Sequence, residues 1–392
     1  METLDYHQGG LCKFSVSPRL TKLKEDFEAS GGEFKEWRIG DLFDIHPTKA
    51  YKMTNLDLFK NKGDIPVVTN SSVENGITGY VNLKPTEKGG IVTYSDTTTD
   101  EGIFYQPYDF VGYSHVQGVY PLETYNWNED KLLYFVSLFK KSAKGRFDYA
   151  SKFNRAIAKE MLVKLPTFNN EPSYSYMEQY ISLLEEEKML QVDKFLNDSG
   201  LNDTALTVEE TVALEKFRNG EVKFEEKKLG ELFSCKTGDV DVQRCHLNGK
   251  GTIYINSGVT DLGIIGKTDM KARIFPANTI TIDMFGNAYY RDFEYKMATH
   301  AHVFSLSHLD DKLNKENGLY ICASLGYFTQ LFSFNDMCNW SKMKDKKVCL
   351  PQRQDGDIDY TFMQHFISAL EKIVIRGVVK YKDKVLNANH SK

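Results

Sequence analysis

No stretch of about 18 consecutive apolar residues occurs in this 392-residue sequence, so none of it reads as a membrane-spanning helix. Residues 1–24 have no apolar core of the kind a secretory signal needs. The six cysteines, Cys12, Cys235, Cys245, Cys322, Cys338 and Cys349, never form a CxxC pair. That usage fits buried, reduced thiols better than a disulfide framework or a zinc finger, and the expected location is cytoplasmic. A basic excess is missing as well: 49 Lys and Arg face 54 Asp and Glu, for a formal charge of −5 and a pI near 6.0. Apolar residues are not scarce. At 41% they are enough for real cores and exclude wholesale disorder.

Enzyme signatures are equally sparse. There is no GxGxxG and no GxxxxGK[ST], hence no standard phosphate cradle. No Asn-Pro-Pro or Asp-Pro-Pro precedes an aromatic, as an amino-methyltransferase site requires, and no Pro-Asp is followed by the Glu-x-Lys of common nucleases. HExxH and GxSxG are absent. The segment Gly251-Thr252-Ile253-Tyr254-Ile255 has the opening of a GIY-type nuclease without its partner residues. Cys235, Cys245 and His246 have the wrong spacing for a zinc site. The expectation is a chain with no catalytic residues, no metal and no cofactor of its own.

What is present is a duplication. Trp37-Arg38-Ile39-Gly40-Asp41-Leu42-Phe43 matches Lys227-Lys228-Leu229-Gly230-Glu231-Leu232-Phe233 at a shift of 190. Gly76-Ile77-Thr78-Gly79 matches Gly263-Ile264-Ile265-Gly266, and Ser114-His115-Val116 matches Ala301-His302-Val303, both at 187. Phe147, Tyr149, Asn154, Lys159 and Pro166 fall on Phe332, Phe334, Asn339, Lys344 and Pro351 at 185. Met177, Tyr180, Ile181 and Leu184 fall on Met363, Phe366, Ile367 and Leu370 at 186. Order is kept while the shift drifts by five residues, so two similar domains stand in tandem.

Each copy changes period once. Segments such as Gly90-Ile91-Val92-Thr93-Tyr94 and Asn278-Thr279-Ile280-Thr281-Ile282 read as strands. Residues 132–141 and 319–328 read as short helices, and Asn75-Gly76 as a turn. A 3.6-residue period then sets in: Met363, Phe366, Ile367, Leu370, Val374 and Val378 make one stripe, with Met177, Tyr180, Ile181 and Leu184 as its counterpart. Ser173 and Asp359 are the expected N-caps. A further short helix is expected over 207–217.

The fold class expected is α+β: two similar domains of mixed β-sheet with short helices, each followed by a long helix. The divisions are an N-terminal segment 1–33 with no counterpart in the repeat, a first domain 34–170, a spacer helix 171–200, a linker 201–225, a second domain 226–357, and a second spacer helix and tail 358–392. Acidity is concentrated at 171–225, which holds 13 acidic and 5 basic residues, net −8, including Glu185-Glu186-Glu187. A helix of about 25 residues spans roughly 37 Å, close to the ~34 Å turn of B-DNA that separates half-sites.

Polar loop stretches recur in both copies. In the first the candidate DNA contacts are Lys49, Lys52, Asn70, Ser71, Ser72, Thr97, Thr98, Tyr113, Ser114, His115, Lys152 and Arg155. In the second they are Lys236, Arg244, Asn256, Asn287, Arg291, His300, His302 and Lys342. Amides, hydroxyls and imidazoles on loops donate to phosphates or read base edges, and Lys and Arg add the salt-sensitive backbone attraction. The same residue types also build turns, so the argument rests on the recurrence.

Trp37 to Phe43 and its copy at 227–233 resemble the entry to the target recognition domains of the specificity subunit of type I restriction–modification systems, and of the related BcgI-like type IIB systems. The run Pro66-Val67-Val68-Thr69-Asn70-Ser71-Ser72-Val73-Glu74-Asn75-Gly76-Ile77 is similar to the domain core. So are Thr93-Tyr94-Ser95-Asp96-Thr97-Thr98-Thr99 and Val111-Gly112-Tyr113-Ser114-His115-Val116-Gln117-Gly118. Leu206-Thr207-Val208-Glu209-Glu210, leading to Phe224, resembles the linker into a second domain. Residues 34–386 are covered.

The resemblance implies two target recognition domains reading the halves of a split double-stranded DNA site. It implies spacer helices packed antiparallel as a coiled coil that fixes the gap. The helices would dock methyltransferase or fused nuclease–methyltransferase subunits, with Met177, Ile181, Leu184, Met363, Ile367 and Leu370 as partner-binding positions. Those partners would carry S-adenosylmethionine for adenine methylation, and a motor subunit would add ATP and Mg in type I complexes. Two other classes remain open on the residues alone: a tandem β-rich carbohydrate-binding or adhesion protein, in keeping with 13% aromatic residues, and a stand-alone nuclease. Given the pI, weak DNA binding is expected of the isolated chain and tight binding in complex.

Overall fold

The computed structural model describes residues 17–97, 100–147, 152–299 and 302–390, with side chains through residue 387. Packing divides these into two units: 17–192 with the last turn 385–390, and 193–384.

The first unit opens with α1 (Pro18–Ala29), β1 (Glu33–Arg38), α2 (Ile39–Leu42), β2 (Phe43–Pro47), α3 (Asn55–Leu58), β3 (Lys62–Val68) and β4 (Ile77–Val81). It continues through β5 (Ile91–Ser95), β6 (Ile103–Gln106), β7 (Val116–Pro121), α4 (Glu129–Ala143), α5 (Arg155–Glu160), β8 (Leu162–Phe168) and β9 (Glu171–Pro172) into α6 (Tyr174–Asp198). The main sheet runs β2-β7-β5-β6, antiparallel throughout. All five residues of β5 are buried, as expected of a β-branched run in a central strand. The sheet packs on α4 through an aromatic core. Phe43 and Phe135 lie 4.3 Å apart, Tyr94 and Phe153 4.5 Å, Phe147 and Phe153 4.1 Å. Each such ring contributes about 2–3 kcal/mol on burial. Asn128 starts α4 by accepting from the Lys131 amide at 3.2 Å, ahead of Glu129 and Asp130.

The second unit repeats the plan: α7 (Val208–Arg218), β10 (Phe224–Lys228), α8 (Leu229–Leu232), β11 (Phe233–Thr237), β12 (Thr252–Ile255), β13 (Ile264–Thr268), β14 (Thr279–Asp283), β15 (Ala288–Arg291), β16 (Tyr295–Met297), β17 (Val303–His308), α9 (Lys315–Ser324), α10 (Trp340–Met343), β18 (Lys347–Pro351) and α11 (Tyr360–His390). Its main sheet, β11-β17-β14-β15, has the order and directions of the first. β10 pairs with β18 as β1 pairs with β8, and β12 with β13 as β3 with β4. β16 runs parallel to β12, where the first unit has only the parallel bridge Val67↔Val111. The two heads thus share an α+β fold with a small sheet beside the main antiparallel one, a two-stranded antiparallel pair in the first head and three-stranded and mixed in the second.

Some expectations are corrected. Residues 17–29 do have a counterpart: Ser17 and Phe27 stand 190 residues before Thr207 and Phe217. Ser17 caps α1 by accepting from the Leu20 amide at 3.1 Å, and Thr207 caps α7 in a capping box with Glu210. Phe27 packs 4.5 Å from Tyr176 on α6, and Phe217 4.6 Å from Phe366 on α11. Of the rest of 1–33, residues 1–16 lie outside the described residues, 30–32 form the turn after α1, and Glu33 opens β1. The helix expected over 319–328 begins earlier, at Lys315, because Asn314 accepts from the Asn317 amide at 2.9 Å. Of the cysteines, Cys245 and Cys349 are exposed rather than buried, whereas burial pushes the Cys235, Cys322 and Cys338 thiols up to about 12.

The segment expected as a linker, 201–225, is pinned to α11. Glu210 accepts from Ser368 Oγ at 2.6 Å and Lys372 Nζ at 2.9 Å. Burial alone would raise the Glu210 pKa, but hydrogen bonds from Ser368, the Thr207 amide and Lys372 outweigh it and hold the carboxyl below its ordinary value. Lys372 also donates to the Ala205 carbonyl at 3.0 Å and Arg376 to that of Thr204 at 3.1 Å. Buried Lys382 reaches Asp193 at 2.7 Å and Asn202 at 2.9 Å.

The partner-binding positions divide. Met177 and Met363 are fully buried in the cores of their own units, so they are not free to dock another chain. Ile181 and Ile367 are partly buried against the same cores. Leu184 is half-buried and Leu370 exposed. The α11 stripe is therefore core-facing at its start and exposed at Leu370, Val374 and Val378.

Candidate nucleic-acid interface

In the first head, the pairing Ser95↔Val116 brings the end of β5 beside the start of β7, so the segments 96–97 and 113–115 leave the sheet side by side. The Asp96 amide donates to the His115 carbonyl at 3.1 Å. Asp96 then takes His115 Nδ1 at 3.1 Å on one carboxylate oxygen and Gln117 Nε2 at 2.9 Å on the other. His115 sits at φ +63°, and its ring is exposed. Asn70, in the turn after β3, donates to Thr97 Oγ1 at 3.2 Å, and Thr97 is bound back to Ser95 Oγ. Asn70, Thr97, Ser114 and His115 thus form one surface, with Ser71 and Ser72 in the adjoining turn.

Arg155 lies in the first turn of α5, which Asn154 caps by accepting from the Ile157 amide at 3.0 Å. Burial, then Asp96, raise the pKa of the Tyr94 phenol, and Arg155 acts against them. Lys152 is exposed beside it. Lys49 and Lys52 are exposed, and the Lys49 amide is anchored on Glu87 at 2.6 Å. Tyr113 is turned away: its hydroxyl bonds Asn55 and its ring packs on small apolar clusters. Thr98 lies outside the described residues.

In the second head the same loops converge on Asp283, which is buried. Its carboxylate accepts from Ser257 Oγ and the Gly258 amide at 3.1 Å each. It accepts from the Phe285 and Asn287 amides and Asn287 Nδ2 at 2.9 Å each. The Met284 amide donates to the His302 carbonyl at 2.9 Å. Asn256, Asn287 and His302 are therefore brought together, and His300 lies outside the described residues. Asn339 caps α10 as Asn154 caps α5, accepting from the Lys342 amide at 3.0 Å. Lys342 itself is ion-paired with Asp336. Lys236 and Arg244 are exposed on β11 and on the 3-10 turn Arg244–His246.

Arg291 is the clear correction. It is 1% exposed, donates from Nε to Thr281 Oγ1 at 2.9 Å and from Nη2 to the Leu262 carbonyl at 2.7 Å, and burial pushes its pKa down to about 10. It holds a turn from inside and does not face DNA. Asp96, Gln117 and Asp283, which lie in the stretches singled out in the sequence but are not among the candidate contacts, position the loops. Their signal was the strand register, since each sits where a strand end meets its neighbour's loop. Among the described residues no group of three or more His, Cys, Asp or Glu is placed to hold a metal ion, and no helix is long and apolar enough to cross a membrane.

Two copies of one α+β scaffold, each presenting a different set of short polar side chains at the same loop positions, define a tandem recognition protein. The chain belongs to the type I restriction modification DNA specificity domain family, whose model matches residues 32–193 and again 221–380. It is thus a specificity subunit of the restriction–modification class, with two domains recognising a bipartite DNA target. It is 23% identical over 357 residues to the "Type II restriction enzyme BgcI specificity subunit S.BcgI" of Heyndrickxia coagulans, covering 90% of this chain and 98% of that one. In fold it is similar to the crystal structure of a type I restriction–modification S subunit from M. genitalium, with a TM-score of 0.54 and 13% identity over 91% of this chain and 92% of the other.

Proposed function

We propose that the loop clusters of the two heads read the two half-sites in the major groove, and that this chain contributes specificity while its partners contribute chemistry. The first head reads through Asn70, Ser71, Ser72, Thr97, Ser114 and His115, with Lys49, Lys52, Lys152 and Arg155 supplying phosphate contacts. The second reads through Asn256, Asn287 and His302, with Lys236, Arg244 and Lys342 on the backbone. The observation that carries this is unlike polar loops mounted on like scaffolds: an Asp96–His115 pair on one head stands where the other has Asp283 closed on its own loop.

In this reading a methyltransferase or fused nuclease–methyltransferase subunit docks on exposed helical surface that includes Leu370, holds S-adenosylmethionine and methylates adenine. A motor subunit with ATP and Mg joins in a type I assembly. The chain works in the cytoplasm. Its acidic middle segment faces a partner instead of phosphate, which accounts for a DNA-binding chain with a pI near 6.0.

Co-purification with the product of the neighbouring gene, followed by methylome mapping, tests this. The expected outcome is one two-part motif with a fixed gap. Inserting one helical turn at Leu184 adds roughly 5 Å and widens the gap by about one to two base pairs, leaving both half-sites unchanged. A contiguous motif, or a gap indifferent to the insertion, overturns the proposal.

A further inference from the structure

The turn that follows β3 in the first head and β12 in the second is built the same way in both. Three consecutive residues are left-handed: Glu74, Asn75 and Gly76 at φ +51°, +55° and +78°, and Asp261, Leu262 and Gly263 at +48°, +54° and +78°. The Thr69 amide closes the first turn on the Gly76 carbonyl at 2.8 Å, and the Asn256 amide closes the second on that of Gly263 at 2.9 Å. A buried side chain fixes each from below. Gln106 Nε2 donates to the Asn75 carbonyl at 3.1 Å and to Thr93 Oγ1 at 2.9 Å. Arg291 does the same for Leu262 and Thr281. These turns are rigid, and they adjoin the polar residues Asn70 and Ser71 or Asn256 and Ser257.

What they present outward includes apolar side chains, set beside the exposed Ser72 and Glu74 in the first turn and Thr260 and Asp261 in the second. Val73 is 65% exposed, Val259 70% and Leu262 54%. Leu262 is the outlier. Left-handed backbone suits Asn or Gly, and Asn75 occupies this place in the first head, with its side chain spent on the Tyr105 carbonyl at 3.0 Å. A leucine there is less than half covered and carries backbone strain, which marks its exposed side as a candidate for an external contact.

We infer that Val73 on the first head, and Leu262 with Val259 on the second, are apolar readers that pack against thymine 5-methyl groups in the major groove. The chemistry fits. The methyl is the one apolar feature on a major-groove base edge, and aliphatic side chains are its natural partners. A rigid tip beside hydrogen-bonding residues lets one loop read methyls and base-edge donors together. This inference rests on the proposed DNA-reading role of the same loops.

The test uses the assembly of this chain with its methyltransferase partner and duplexes carrying its mapped motif. Each thymine is replaced in turn by deoxyuridine, which removes only the methyl. Loss of one buried methyl is expected to weaken binding about fourfold, at one or two positions in each half-site. Leu262→Asn keeps the turn, since Asn accepts this conformation. It should abolish the deoxyuridine effect in one half-site only, and Val73→Ala should abolish it in the other. Indifference of the wild type to every deoxyuridine, a half-site of G·C pairs alone, or a Leu262→Asn assembly that keeps the wild-type sensitivity overturns the inference. Weakened assembly with the methyltransferase and unchanged deoxyuridine sensitivity would also overturn it, making the tip a protein contact. Failure of the wild-type assembly to bind any bipartite duplex would instead count against the DNA-reading role itself.

Discussion

Arg291 and Gln106 are one part in two copies of a scaffold: each is the last residue of its strand, each is buried, and each ties a threonine hydroxyl to the carbonyl of a left-handed turn. The chemistry differs, a charged guanidinium in the second head and a neutral amide in the first. Such a substitution survives because what is conserved between the copies is the pair of acceptors.

The difference in charge sets the first prediction. Arg291→Ala strands two acceptors that a charged donor had satisfied and should destabilise the second unit by about 2–3 kcal/mol. Gln106→Ala removes neutral bonds and should cost the first about 1–1.5 kcal/mol. Amide hydrogen exchange in β14 and β15, compared with β5 and β6, measures each locally. Equal costs would show that the guanidinium works as a neutral spacer.

The glycines closing the two turns are unequal for a steric reason. A Cβ on Gly263 would meet the Asn256 carbonyl oxygen at 2.5 Å, whereas one on Gly76 has nothing nearer than 3.4 Å. Both sit at φ +78°. Gly76→Ala should therefore cost only the backbone strain, about 1 kcal/mol, and Gly263→Ala about 2 kcal/mol or more, strain plus collision. Chemical denaturation of the two variants decides between this ordering and its reverse.

His308, at the end of β17, supplies a pH dependence. Its Nε2 bonds Tyr360 Oη at 2.8 Å and its Nδ1 accepts from the Asp310 amide at 3.1 Å, so the ring is held neutral. Burial lowers its pKa, outweighing Asp310 and Asp311, which act to raise it, while Lys312 adds to the lowering. The unfolded chain then takes up a proton before the folded one does. The stability from this residue is present above pH 6.5 and is lost as pH falls through the depressed folded value. Thermal melts from pH 7.5 to 5 should show the second unit weakening, and His308→Gln should flatten that slope. An unchanged slope would assign the dependence to other groups.

Much of this architecture was legible because it was written twice. The drift from 190 to 185 in the repeat located both domains and both long helices, and the family model covers the same ground. The strands of β5 and β14 and the cap at Asp359 followed from local chemistry, since a capping residue acts on amides two or three positions away. The N-terminal helix was missed because its likeness to α7 lies in packing: Phe27 and Phe217 match only once each is seen against its long helix.

Residue type alone named the surface loops but not the direction of any side chain. Arg291 reads as a phosphate contact in the sequence, and Met177 and Met363 as docking positions, yet all three are buried. Periodicity reports that a face is apolar and says nothing of what covers it. An arginine in a strand likewise reaches solvent or core according to which acceptors the neighbouring strands place beside it. The sequence by itself determined the duplication and the α+β class, because hydrophobic periods and cap residues act over a few positions. Only the tertiary structure decided which polar residues meet, as Asn70 meets Thr97 and Asp96 meets His115, because those meetings depend on strand register between segments tens of residues apart.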